Sequence, residues 1–266
     1  MSQAAMTEAG RAPYLDRPRL LALSGVALGS LAAWVALAVL HEALPGSVSG
    51  IDWLSALCRG IALPVSAALP GAVAIWVLMS VAMMLPTAAP AIDIYVRLSR
   101  RIEARRAAHV AGFAGGYLIA WAGFAVVAGG AQATLGGELA AYMTKLPQGA
   151  AAGGLLVLAG LYQLTPLKQA CLTLCRNPLA FFMSHWREGV GGALRMGLHH
   201  GLVCIGCCWA LMGLMFLAGA MNLAWMAGLG LVMLLEKTAP GAARIGRLTG
   251  LAMALAGVAL IVNDLI

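Results

Sequence analysis

LLALSGVALGSLAAWVALAVL, from Leu20 to Leu40, carries no charged residue along its whole length. At 1.5 Å of rise per residue, a helix of this size crosses the roughly 30 Å hydrocarbon core of a bilayer. The run exceeds the core of a cleavable signal, and Glu8 and Asp16 dilute the basic region before it, so it reads as a retained first span. Similar apolar runs recur at about 70–92, 111–131, 149–167, 197–217, 221–236 and 247–263. Together they predict an all-α protein, a polytopic transmembrane helical bundle of about seven spans. Composition agrees. The chain is 62% hydrophobic and 10% charged, whereas a soluble domain carries about 25% charged residues. Residues 1–19 are expected to be a cytoplasmic tail and 20–266 a single transmembrane domain.

Charge sets the expected orientation. With seven spans and the N-terminus inside, the inner segments hold Arg11, Arg17, Arg19, Arg97, Arg100, Arg101, Arg105 and Arg106. They also hold Lys168, Arg176, Arg187, Arg195, Lys237, Arg244 and Arg247, leaving only Arg59 and Lys145 outside. Such an excess is the positive-inside pattern, and it places the C-terminus on the far side. The net charge of +7 is spread between apolar runs and forms no single basic face, so no nucleic-acid partner is expected. The expected surroundings are a lipid bilayer, with the inner segments near anionic headgroups.

Prolines, glycines and isolated polar residues organise the spans. Pro64 and Pro70 are expected to close a short helix before the second span, and Pro86 and Pro90 to kink it. Asn177–Pro178 marks a helix end, followed by Phe181, Phe182 and Trp186, which suit a membrane interface. Gly112 with Gly116, Gly149 with Gly153, and Gly246 with Gly250 stand four apart. That spacing lets helices approach closely, within one chain or across an oligomer seam. Asp93 and Glu236 have basic neighbours within a turn and are expected to pair at the interface. Gln132, Gln163 and Asn222 are expected to bond between helices.

The chemistry lies in MGLHHGLVCIGCCWALMGLM, Met196–Met215. At about 100° per residue, with His200 at zero, Cys204 falls near 40°, Cys207 near 340° and Cys208 near 80°. Met196 and Met215 share that third of the helix, while His199 points about 100° away. Thiolate and thioether are soft donors that favour Cu(I), zinc or iron–sulfur centres, and imidazole suits zinc, copper and iron. One helix cannot complete a tetrahedral shell, so another must contribute. Met83 and Met84 before Pro86, and Cys171 and Cys175 one turn apart, are the available donors. The candidate ligands are therefore His200, Cys204, Cys207, Cys208, Cys171, Cys175, Met83, Met84 and His199, for a soft transition-metal ion with copper preferred over zinc or iron. Cysteine and methionine also serve as plain packing residues. Cys58 falls outside, away from the other five thiols.

Several blocks resemble a known family. They are MMLPTAAP (83–90), YVRLSRR (95–101), LYQLTPLKQACLTLC (161–175) with RNPL, GLHHGLVCIGCCWALM (197–212), and MNLAWM (221–226) with LLEK (234–237). In this order, from about residue 75 to 260, they resemble a bacterial family catalogued as predicted metal-binding integral membrane proteins of unknown function. The resemblance implies a bacterial inner membrane and a bound metal.

The leading functional expectation is a membrane protein that transports, delivers or stores a soft metal, copper foremost, together with a metal-donor or acceptor protein. The loops leave no room for a P-loop or a phosphorylated pump domain. A second class is a membrane oxidoreductase or thiol-redox enzyme, since Cys204–Cys207 has CxxC spacing. A third is a non-catalytic assembly subunit of a membrane complex.

Overall fold

A computed structural model describes residues 17–43, 69–99, 106–143, 148–218 and 222–265. The regular elements among them are all helices: α1 (Arg17–Ala43), α2 (Leu69–Leu98), α3 (Arg106–Met143), α4 (Gln148–Leu164), α5 (Pro166–Arg176), α6 (Pro178–His185), α7 (Gly189–Gly213), α8 (Met215–Ala218), α9 (Leu223–Thr238) and α10 (Ala242–Leu265). Five of them, α1, α2, α3, α7 and α10, are long and apolar enough to cross a membrane. A sixth crossing arises if α4 and α5, bent by 61° at their junction, are one broken span. The remaining expected span, at 221–236, corresponds to α9, which has 16 residues and falls short of the usual spanning length of about 20. Cys58, Arg59, Pro64, Lys145, the N-terminal tail and Arg100, Arg101 and Arg105 lie outside the described residues.

Four pairings build the body: α1 on α2, α2 on α3, α3 on α7, and α4 on α10. Pro86 and Pro90 lie within α2, which continues through both. Pro86 has no N–H to give the carbonyl one turn earlier, at Ala82. Ser30 Oγ of α1 donates to that carbonyl at 2.8 Å, so the freed acceptor becomes the docking point of α1. Such a bond is worth about 1 kcal/mol net. At the other end of α1, Arg19 pairs with Asp93, which Arg97 also holds at 2.8 Å. The expected pairing of Asp93 is present.

The glycine spacing works inside the chain. A Cβ at Gly116 would overlap the backbone of Leu194, and one at Gly197 would overlap the Phe113 carbonyl. The α3–α7 approach therefore requires glycine from both helices. Gly153 meets Gly257 in the same manner between α4 and α10.

Three expectations need correction. Phe181 and Phe182 are buried, at 0% and 1% exposure, not interfacial. The reason is that α6 is short and folds its aromatic pair inward, with Phe182 packed on Tyr95 and Phe113. Among the described residues Asn222 makes no interhelical bond: its side chain caps α9 by accepting from Trp225 N. Glu236 pairs across the bundle with Lys168 of α5 at 2.6 Å rather than with its neighbour Lys237. Gln132 and Gln163 do bond between helices, to Trp76 Nε1 and Glu236.

Candidate metal centre

The centre depends on a local break. Thr165 is extended, its hydroxyl accepts from Lys168 N, and Pro166 takes the first turn of α5, where its missing N–H costs nothing. This Thr-Pro start turns α5 away from the line of α4 and lays it against α7. Asn177 and Pro178 then end α5, as their order predicts. Cys175 is thereby carried to the face of α7 that presents Cys204 and Cys207, three apart and on one side of the helix.

The sulfurs of Cys175, Cys204 and Cys207 all lie within 4.8 Å of one another. Cys207 Sγ is 4.0 Å from Cys175 Sγ and 3.4 Å from Cys208 Sγ. Three sulfurs bound to one ion at about 2.3 Å each would stand roughly 4 Å apart. The observed group fits that requirement with small adjustment. Cys204, Cys207 and Cys208 are 1–2% exposed and Cys175 is 9% exposed. All five described cysteines are free thiols. A close set of soft donors shielded from water is suited to hold a soft ion.

The other expected ligands are placed differently. Cys208 adjoins the group through Cys207. Cys171 does not join it: its sulfur lies against Gly206, where a Cβ would come within 2.8 Å. His200 is buried but packs among aromatic rings, with centroids 5.9 Å from Phe113, 6.0 Å from Tyr117 and 5.2 Å from Phe181. Among the described residues its Nδ1 has no hydrogen-bond partner. His199 is exposed. Met83 lies against Gly230 of α9. Met84 contributes through its backbone, its carbonyl accepting from Thr87 and from Tyr117.

Two residues not expected at the site contact the thiols. Tyr117 OH is 3.2 Å from Cys204 Sγ. Lys237 Nζ is 2.8 Å from Cys204 Sγ and 3.0 Å from Thr87 Oγ1. Lys237 is 7% exposed, and the adjacent carboxylate of Glu236 is already taken by Lys168. A lysine at the end of an apolar run is itself a signal of function, but the neighbouring Glu236 disguised it as half of a surface pair.

A cation at this point balances charge that metal binding would create, because ligating cysteines are thiolates. Two unit charges about 4 Å apart at an effective dielectric of about 20 attract by about 4 kcal/mol. The cost of burying the ammonium offsets part of this, leaving about 1–3 kcal/mol, or about 10- to 100-fold in affinity. Lys237→Met, which keeps the apolar stem, is expected to weaken metal binding by that factor in a chelator competition. An unchanged affinity would remove Lys237 from the centre.

With the site in view, the family can be stated: the chain belongs to the PpoB2 family, described as copper chaperone, whose profile matches residues 73–260. The match begins in α2 and ends in α10, and it includes every residue of the thiol group. No curated protein and no solved structure is significantly similar to the chain.

Proposed function

We propose that this chain is a multi-pass protein of the bacterial inner membrane that binds Cu(I) through Cys175, Cys204 and Cys207 and hands it to an acceptor protein. The observation that carries the reading is the meeting of three buried thiols from two helices, in a chain of a copper chaperone family. Among the common ions, Cu(I) is the one best served by sulfur donors alone, whereas zinc accepts mixed sulfur, nitrogen and oxygen shells. Cys208 and the unpartnered imidazole of His200 lie close enough in sequence to serve during release. The burial of Cys204 and Cys207 argues against the thiol-redox alternative, since exchange with a partner's disulfide needs a thiolate that the partner's sulfur can reach.

In this reading the seven-span arrangement holds, with α9 as a short span, the N-terminus inside and the thiols in the cytoplasmic half. Reporter fusions after Asn222 and after Ile266 are expected to report the periplasm. A cytoplasmic Ile266 beside a periplasmic Asn222 would remove α9 from the spans and overturn the seven-span arrangement.

The direct test is metal analysis of the full chain purified in mild detergent and loaded anaerobically with Cu(I). About one sulfur-bound copper per chain is expected, with X-ray absorption showing a sulfur shell near 2.3 Å. Because ligating thiols must lose their protons, affinity is expected to fall as pH falls. Protein that binds zinc but no Cu(I) under these conditions would overturn the assignment.

A further inference from the structure

Outside the thiol group, a second set of metal-ligating side chains meets where the end of α6 packs on α7. His185, the last residue of α6, is half-buried, and His199 of α7 is exposed. Their ring centroids are 4.6 Å apart and the rings stand at 79°. Two nitrogens bound to one ion at about 2.0 Å each are at most about 4 Å apart. Side chains this close can each turn one nitrogen toward a shared ion.

The hydrogen bonds of His185 fix which nitrogen is free. Its Nδ1 lies 3.1 Å from the Phe181 carbonyl oxygen, and a carbonyl can only accept. Nδ1 therefore carries the proton, and the Nε2 lone pair is left for a ligand. A ring held by donation from its other nitrogen to a backbone carbonyl is the usual state of a metal-binding histidine. Ser184 Oγ, 2.8 Å from the same Nδ1, further restrains the ring.

Phe181 separates this pair from the interior. Its ring is stacked on His185 at 4.9 Å and 19°, and it meets His199 at 5.4 Å and His200 at 5.2 Å. Three imidazoles thus surround one fully buried phenyl ring. His200, on the inner side, stands one helical turn from Cys204. The order from outside to inside is His185 with His199, then Phe181, then His200, then the thiols.

We propose that His185 and His199 form a second copper site, a two-nitrogen Cu(I) port through which copper enters or leaves the thiol group. The port rests on the copper reading above for its cargo, but its ligands are independent of the cysteines. Two neutral nitrogens bind Cu(I) less tightly than three buried thiolates. The port is therefore filled transiently, and copper runs down a gradient of affinity into the thiol group.

The experiment uses the full chain in mild detergent, with Cu(I) supplied anaerobically as a chelator complex. Three proteins are compared: the unaltered chain, His185→Gln/His199→Gln, and Cys175→Ser/Cys204→Ser/Cys207→Ser. X-ray absorption distinguishes nitrogen from sulfur shells, and stopped-flow absorbance follows transfer from the chelator. The serine variant is expected to retain a weaker copper with nitrogen ligands only. The glutamine variant is expected to lose that copper, keep the sulfur-bound one, and load it about tenfold more slowly. Its retained sulfur-bound copper shows that the variant is folded. A serine variant with no nitrogen-bound copper, or a glutamine variant that loads at the unaltered rate, overturns the port while the thiol site stands. Nitrogen-bound copper in every protein but the glutamine variant, with no sulfur shell anywhere, would keep the port and remove the thiol site.

Discussion

Replacing Cys175, Cys204 and Cys207 together with serine is expected to reduce sulfur-bound copper from about one ion per chain to none. Serine is close to cysteine in size, and its hydroxyl can bond back to a helix carbonyl, so the bundle is expected to survive. The thiol of Cys207 already rests 3.1 Å from the Cys204 carbonyl, a place a hydroxyl can take over. Loss of copper with an unchanged unfolding temperature isolates ligation from packing. Among single variants, Cys175→Ser is the most informative, because Cys175 alone comes from α5. Its loss leaves Cys204 and Cys207 with Cys208, all on one helix, and affinity is expected to fall even if stoichiometry does not. Cys58→Ser serves as the control and is expected to change nothing. Equal sulfur-bound copper in the triple variant and the unaltered chain would falsify the site.

The second large effect is on stability. Lys168 and Glu236 are paired at 2.6 Å with side chains 0% and 2% exposed, and Gln163 Nε2 donates to the other carboxylate oxygen at 3.0 Å. Lys168→Met leaves the carboxylate buried without its counter-ion, which costs about 3–5 kcal/mol. Adding Glu236→Leu removes the orphaned charge and is expected to restore most of that loss. Thermal unfolding in detergent measures both steps. Copper affinity per folded molecule is expected to stay the same throughout, since neither residue touches the thiols. If Lys168→Met alone were harmless, the pair would not be holding α5 to α9.

Much of the helical layout is legible in residue type alone. Long apolar runs give α1, α2, α3, α7 and α10, and Asn177–Pro178 gives the end of α5. The stripe of Cys204 and Cys207 follows from helical period. What periodicity cannot supply is the angle between helices. Cys171 and Cys175 look equivalent as neighbours on one turn, yet the 61° turn at Thr165–Pro166 brings Cys175 to the sulfurs and sets Cys171 against Gly206. Lys237 was hidden for a similar reason. Glu236 and Lys237 are adjacent, so they point to different sides of α9, one toward Lys168 and the other toward Cys204. His200 shares the stripe with the cysteines, but the rings of Phe113, Tyr117 and Phe181 enclose it, and those contacts come from α3 and α6.

The pairing of α4 with α10 has a consequence for biogenesis. Glycines along α4 fit glycines of the final helix, so that face of α4 has no partner while the intervening hundred or so residues are still being made. Until α10 inserts, α4 is free to shift, and with it the Thr165–Pro166 corner that aims α5. The ribosome therefore delivers Cys204 and Cys207 to the membrane before their third sulfur has a fixed address. In the copper reading, the three-thiol site therefore takes its mature form only once α10 has paired with α4.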